Sequence, residues 1–235
     1  MIRSLVVAAV LVAAFPALGA DFGSLGALSQ DEYHNLASDL GAAFSYKGVT
    51  PATPLGPIGF DVGVEVTDTR IGHSDVLARA GAGDHSDVVI PKLHVYKGLF
   101  GGLDIGAFIA GSSELGASLF GADLRYALLD DTLATPAFAV RLSGTKATGL
   151  GDLSFATGAL DLMVSKKFLA LTPYAGAGAV YVRSSAHGTA LADEAFTTGR
   201  VFGGVNLNLV GVNLALEAEK MGGSTSISAK LGLRF

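Results

Sequence analysis

The sequence predicts an all-β protein, an antiparallel transmembrane β-barrel of about ten strands with a short N-terminal helix. Half of the 235 residues are apolar, 32 are glycine, and the mean hydropathy is +0.48. This apolar content is divided among short segments in which apolar and polar residues alternate, and turn-forming residues separate the segments. Alternating segments of about ten residues are typical of strands that cross a bilayer as a closed barrel.

The first twenty residues have the composition of a cleaved secretory signal peptide. Arg3 provides a positive start, residues 5–15 are uninterruptedly apolar, and Pro16 precedes small residues. This apolar stretch is too short for a retained membrane helix. We therefore expect cleavage after Gly19 or Ala20 and exclude residues 1–20 from the fold.

Residues 21–58 are predicted to form a helix followed by an extended connector. Ser29 and Glu32 have the spacing of a capping box at the start of a helix over residues 29–44. One face of this helix is apolar, with Tyr33, Leu36, Leu40 and Phe44. Three prolines at 51, 54 and 57 preclude a helix or a central strand after it. Two placements remain open, docking at the periplasmic mouth of the barrel and insertion into it as a plug.

From residue 59 to residue 235 the pattern has a period of two, which predicts the barrel. In the first segment Val62, Val64 and Val66 alternate with Asp61, Gly63 and Glu65. Ten such segments follow one another, and eight to twelve strands would fit the pattern. We place them at 59–70, 88–97, 102–112, 115–128, 135–146, 152–165, 171–183, 195–208, 211–220 and 225–235.

The connections between these segments predict the orientation of the barrel. They alternate between a set that includes the long polar stretches 71–87 and 184–194 and a set of short turns. Outer-membrane barrels have long extracellular loops and short periplasmic turns. The long connections are therefore predicted to face the cell exterior.

The last segment ends on Phe235 and has apolar residues at alternate positions before it. This pattern resembles the terminal strand of Gram-negative bacterial outer-membrane β-barrel proteins, a class rather than one family. The resemblance implies export to the cell outer membrane, contact with outer-membrane lipids, and recognition of Phe235 as an assembly signal by the barrel-assembly machinery. The alternative is a soluble secreted barrel or sandwich. Aromatic residues predicted at the membrane interfaces weigh against it, namely Phe60, Tyr96, Tyr126, Phe138, Tyr174 and Phe235 on one side and Phe155 and Phe196 on the other.

If the apolar face meets lipid, the opposite face lines the lumen. Acidic and basic residues occur there in equal numbers, which indicates either a cross-linked polar core or a narrow pore without strong ion preference. The predicted lumen-lining residues are Asp61, Glu65, Lys92, His94, Asp104, Asp123, Arg125, Arg141, Asp161, Arg183, Arg200, Glu217, Glu219, Lys230 and Arg234.

The residues indicate no catalytic or metal site, and we predict neither an enzyme nor a cofactor. His73, Asp75, Asp84, His85 and Asp87 share one loop, but their spacing matches no ligand motif. The chain has no cysteine, which excludes thiolate sites. Its formal charge of −5, with no basic patch, argues against nucleic acid as a partner.

The predicted function is passage of small or amphipathic solutes through a narrow polar lumen, with a small solute as the partner. The main alternative is a structural or surface-interaction barrel with a closed, salt-bridged lumen. An enzyme located at the outer rim is the third alternative.

Overall fold

The computed structural model describes residues 22–235, and the predicted signal peptide lies outside them. Ten strands are present within this range, and their bounds differ from the predicted ones by three residues at most. The prediction of ten strands is confirmed. The strands are β1 (Phe60–Arg70), β2 (Asp87–Gly98), β3 (Leu103–Ser112), β4 (Ala117–Leu129), β5 (Ala137–Thr148), β6 (Leu153–Ser165), β7 (Leu171–Ala186), β8 (Glu194–Leu209), β9 (Val212–Met221) and β10 (Ser224–Arg234).

The strands form one closed antiparallel barrel in chain order. β1 pairs with β2 on one side and with β10 on the other, and the β1–β10 seam runs from Asp61 opposite Arg234 to Arg70 opposite Thr225. Closure leaves no strand edge with unpaired backbone groups, which a sheet in hydrocarbon requires.

The barrel has two distinct ends. At the turn end, where β1 begins and β10 ends, the connections are 99–102, 130–136, 166–170 and 210–211. At the loop end they are 71–86, 113–116, 149–152, 187–193 and 222–223. Connection 71–86 contains a second helix, α2 (Ser74–Leu77), followed by a π-helical turn over Ala78–Ala82.

The outward face of the barrel is apolar and the inward face is buried. Val64, Leu124 and Leu216 are 50%, 43% and 58% exposed, and large apolar side chains on the other strands point outward in the same way. A soluble barrel would place these side chains inside. The outward apolar belt and the closed sheet are the architecture of an outer-membrane β-barrel, as the resemblance implies.

A helix, α1 (Gln30–Phe44), precedes the barrel and confirms the predicted one. Its capping box is formed, because Glu32 N–H donates to Ser29 Oγ at 3.3 Å and Ser29 N–H donates to Glu32 Oε2 at 2.8 Å. Within residues 22–235, no helix is both long and apolar enough to cross a bilayer.

The predicted aromatic girdle is partly wrong. Tyr126 and Phe138 do point outward, but Tyr96, Phe155 and Tyr174 are buried inside the barrel. The lumen is not empty, and these rings pack against the residues that fill it. The Phe155 ring meets Phe44 of α1 edge to face at 5.5 Å between centroids.

Candidate functional site

The candidate site is the lumen together with residues 22–59, which we call the inner segment. The inner segment contacts both ends of the barrel. Tyr33 in α1 lies 2.8 Å from the hydroxyl of Ser184 near the loop end, and Leu55 N–H donates to Asp104 at 3.1 Å near the turn end. The inner segment therefore runs through the lumen from the loop end to the turn end, with exposed residues at both of its ends.

The loop-end half of the lumen is an apolar core built around α1. The buried face of the helix carries the predicted Tyr33, Leu36, Leu40 and Phe44. Inward side chains of the wall pack against it, and they include Val88, Ile90, Leu119, Phe155, Val180, Val182 and Met221. A Cβ at Gly41 would lie 2.8 Å from Val182 Cγ2, so the helix approaches the wall of β7 closely.

Polar contacts fix α1 at the loop end. Asp39 accepts hydrogen bonds from His73 N–H at 2.8 Å, Gly72 N–H at 3.2 Å and the Ser224 hydroxyl at 2.7 Å. At the start of the helix, Glu32 pairs with Arg79 at 2.7 Å. The hydrogen bond from Arg79, reinforced by Ser29, lowers the pKa of Glu32 from 4.5 to about 2.

The turn-end half of the lumen is held by buried ion pairs. Asp161 lies between two arginines, with Arg141 Nε at 2.9 Å and Arg200 Nε and Nη2 at 2.7 and 2.6 Å. Arg200 also donates to the backbone oxygen of Tyr46 at 2.7 Å. The cluster therefore joins β5, β6 and β8 to the inner segment.

Further ion pairs surround this cluster. Asp61 pairs with Lys230 at 3.1 Å and with Arg234 at 2.5 Å across the β1–β10 seam. Asp104 pairs with Arg125 at 2.5 Å. On the neighbouring wall, the Glu65 carboxylate lies 2.6 Å from Lys92 and 2.7 Å from His94.

The connector after α1 contributes its own polar groups to this network. The Tyr46 hydroxyl donates to Asp123 at 2.8 Å and lies 2.9 Å from the hydroxyl of Tyr96. Lys47 Nζ lies 3.3 Å from Glu219. The next residue is Gly48, where a Cβ would lie 2.2 Å from Arg141 Nη1, so only glycine allows this close approach.

All but one of the predicted lumen-lining residues lie inside the barrel. Those inside are Asp61, Glu65, Lys92, His94, Asp104, Asp123, Arg125, Arg141, Asp161, Arg200, Glu217, Glu219, Lys230 and Arg234. Arg183 is the exception, because it is exposed on the outward face of β7. The prediction was wrong there because Val180 and Val182 turn inward to pack on α1, which forces Arg183 outward.

The sequence did not identify the polar residues of the inner segment as part of the site. Asp39, Tyr46, Lys47 and Thr50 are buried and bonded to the wall or to other residues of the inner segment. The isolated polar groups between an apolar helix and a proline-rich stretch were the available signal. The sequence does not identify the partners of these polar groups, because it allows residues 21–58 either to dock at the periplasmic mouth or to insert into the lumen.

His73 and His187, which belong to different loop-end connections, do not converge on one site. His73 contacts Asp39 at 3.0 Å, and His187 contacts Ser154 at 2.8 Å on another side of the barrel. Across residues 22–235, no group of three or more His, Asp or Glu side chains is placed to hold a metal ion.

No protein-family model matches the chain, and no curated protein matches it in sequence. Among solved structures, it is similar to the translocator domain of the autotransporter NalP from Neisseria meningitidis, with a TM-score of 0.43, 9% identity, and coverage of 87% of this chain and 95% of that one. It is also similar to the KdgM porin, with a TM-score of 0.37, 7% identity, and coverage of 76% and 99%. It is similar, too, to the outer-membrane protease OmpT from Escherichia coli, with a TM-score of 0.34, 10% identity, and coverage of 76% of this chain and 97% of that one. Scores at this level assign neither a family nor an activity, and the barrel class rests on strand pairing and the apolar exterior.

Proposed function

We propose that this protein is an outer-membrane barrel closed by its own inner segment, and that it presents a contact surface at the cell exterior. The surface comprises residues 22–29 together with connections 71–86 and 187–193. The observation that carries the proposal is the contact of the inner segment with the wall from the turn end to the loop end. A lumen filled in this way leaves the two ends of the barrel to meet a partner, and the loop end carries the longest connection, 71–86.

The contacts between the inner segment and the wall support a closed resting state. Arg200 and Arg125 donate to backbone oxygens of Tyr46 and Pro51, and Lys47 pairs with Glu219. Withdrawing the segment would strip buried charges of these partners. Removing one partner of a buried ion pair costs about 3–5 kcal/mol unless water replaces it.

One observation favours passage of small solutes as a second candidate function. Several buried polar atoms of the wall have no hydrogen-bond partner among the described residues, including Glu217 Oε2 and both terminal nitrogens of Arg141. Buried groups of this kind are normally satisfied by water. If the inner segment withdrew, this polar wall would line a wetted pore.

A disulfide between the inner segment and the wall distinguishes the two functions. The chain has no cysteine of its own. The double variant Gly41→Cys/Val182→Cys places two thiols where a Gly41 Cβ would approach the Val182 side chain at 2.8 Å. Gly41→Cys/Val182→Ala is the matched control, because it changes the same positions and cannot cross-link.

The measurement is conductance of the purified full-length protein in planar bilayers, before and after reduction. A closed barrel gives no steady conductance in the oxidised or the reduced double variant, and none in the control. If the double variant conducts only after reduction and the control conducts under both conditions, the proposal of a closed barrel is wrong and the protein is a gated channel.

The presented surface is tested by labelling intact cells. An epitope inserted between Gly23 and Ser24, both exposed, should bind antibody without permeabilisation. An epitope beside Leu133, which is fully exposed at the turn end, is the matched control and should require permeabilisation. The reverse result would place the loop end in the periplasm and overturn the proposed contact surface.

A further inference from the structure

A row of outward side chains crosses four strands near the loop end. Lys146 on β5 is paired with Phe120 on β4 and with Ala156 on β6, and Ala156 is paired with Arg183 on β7. Lys146, Phe120 and Arg183 are exposed, and Ala156 is partly exposed. Two basic side chains thus flank one small side chain on the surface that faces lipid.

The spacing of this row suits one anionic group. Neighbouring strands lie about 4.8 Å apart, so the backbones of Lys146 and Arg183 are separated by roughly 10 Å. Both side chains are long enough to converge over Ala156, whose methyl group leaves space between them. Arg presents a planar fork of donors and Lys a mobile charge, and both bind phosphate oxygens.

The height of the row matches the border between hydrocarbon and headgroups. Below it on the same strands, Leu142 and Leu160 are exposed members of the apolar belt. Lys146 lies near the last residue of β5, Thr148, at the loop end. The exposed rings of Phe120 and Tyr181 accompany the row, as aromatic residues do at membrane interfaces.

The two cations differ from those inside the barrel in having no carboxylate partner. In the part of the chain that the structure describes, no ion pair within 4.0 Å involves Lys146 or Arg183. The buried charges of the lumen, by contrast, are largely paired within the protein. A cation at the membrane surface gains most from an anion in the membrane itself.

We propose that Lys146, Ala156 and Arg183 form a binding site for the phosphate group of a lipid headgroup in the leaflet at the loop end. The site is named the phosphate patch below. The phosphate patch gives Arg183 a role outside the lumen. The proposal does not depend on whether the lumen conducts.

A second pair of outward basic residues provides a matched control. Arg70 and Lys220 are both paired with Thr225, in the same arrangement around one small residue. Here, however, Asp87 lies directly across from Arg70, and Lys220 Nζ donates to Gly223 O at 2.7 Å. Lys220 is therefore engaged by a local partner and Arg70 has an acidic residue opposite it, whereas the residues opposite Lys146 and Arg183 are not acidic.

The experiment measures lipid binding to the purified full-length protein by native mass spectrometry. The probes are phosphatidic acid and the diacylglycerol with identical chains, which lacks the phosphate. We expect phosphatidic acid to bind more tightly. We expect Lys146→Gln/Arg183→Gln to weaken its binding about 25-fold, since each basic residue near an anionic headgroup contributes about five-fold. Arg70→Gln/Lys220→Gln should weaken the binding of phosphatidic acid by less than about two-fold. Full loss of one basic residue's contribution would weaken it about five-fold, so a change below about two-fold means that neither residue contributes fully.

A second pair of variants tests the geometry without removing either cation. Ala156→Glu places a carboxylate between the two bases and should abolish the preference for phosphatidic acid. Ala156→Gln has the same size and should keep most of it.

Three results would overturn the phosphate patch. Equal binding of diacylglycerol would show that the chains alone are recognised. An equal loss in the Arg70 and Lys220 control would show a general surface charge effect. Displacement of the lipid by excess inorganic phosphate would show a site for soluble phosphate rather than for a lipid.

Discussion

The two halves of the lumen are filled by one continuous segment, yet different interactions hold them. Around α1 the wall is apolar, and the fit depends on side-chain shape and buried area. Around the connector the wall is charged, and the fit depends on ion pairs such as that of Asp161 with Arg141 and Arg200. Apolar residues in a core can be exchanged for others of similar volume at small cost in stability. Removing the partner of a buried charge is costly, because the remaining charge is left uncompensated. The two halves should therefore fail in different ways.

The largest expected effect comes from the charged half. Asp161→Leu leaves Arg141 and Arg200 buried without their shared carboxylate, and should lower the free energy of unfolding by about 3–5 kcal/mol. The measurement is a urea titration of the protein folded in lipid bilayers. The triple variant Arg141→Met/Asp161→Leu/Arg200→Met removes all three charges and should recover much of this loss, because apolar replacement of a whole buried cluster is often neutral. A triple variant less stable than Asp161→Leu would contradict the comparison.

In the apolar half, Leu40→Ala should lower the free energy of unfolding by about 2–5 kcal/mol. Leu40 is fully buried between α1 and the wall, so truncation leaves a cavity. Asn35→Ala on the same helix is only partly buried and should change stability by less than about 0.5 kcal/mol. The same titration applies. A volume-conserving change, Leu40→Met, should cost less than about 1.5 kcal/mol, and a larger cost would show that this half is as intolerant as the charged one.

The wall that both halves share is tested from its outer face. Val64→Arg places a charge against hydrocarbon at an exposed position of β1 and should cost about 2–4 kcal/mol if it lies near the bilayer midplane. Val64→Leu keeps the apolar surface and should be close to neutral. Folding yield into vesicles and urea titration both report the difference. Normal stability of Val64→Arg would mean that this face does not meet lipid.

The anchoring of α1 depends on a smaller contribution at its first turn. Ser29→Ala removes the hydroxyl that accepts from Glu32 N–H at 3.3 Å, and should cost about 1 kcal/mol. Hydrogen exchange of the first-turn amides should accelerate accordingly. Ser24→Ala is the control, because the Ser24 side chain makes no capping hydrogen bond. Equal acceleration in both variants would remove the capping box as the cause.

The smallest effect is a pH dependence of the same turn. Because the folded pKa of Glu32 is about 2 and its ordinary value is 4.5, the ionised carboxylate stabilises the folded turn above pH 4.5. This contribution is lost as the pH falls from 4.5 through about 2. Amide chemical shifts of the first turn should follow this titration in the parent protein and not in Glu32→Gln. A midpoint near 4.5 would show that the pair with Arg79 does not form.

Prediction from the sequence succeeded on strands with one polar and one apolar face, and failed where both faces of a strand carry apolar or aromatic side chains. Over residues 61–66 of β1, charged or small residues alternate with valines, and Asp61, Glu65 and Val64 all face as expected. On β7, Val180 and Val182 face the helix while Tyr181 faces outward, so both faces carry apolar or aromatic side chains. A strand buried against apolar surroundings on both sides loses its periodic signal. The sequence alone does not place α1 in the lumen, so the alternation predicts Arg183 on the polar side.

The covalent link between the inner segment and β1 has a consequence for assembly. The inner segment continues directly into β1 at Phe60, and β1 closes the barrel against β10, far away in sequence. A helix of this length is marginal on its own, so α1 gains its stability from the strands around it. We therefore expect the sheet to close around a helix that is not yet stable, and the pairing of β1 with β10 to enclose it. Weakening α1 should then reduce the yield of assembled barrel, with closure as the step that commits each molecule.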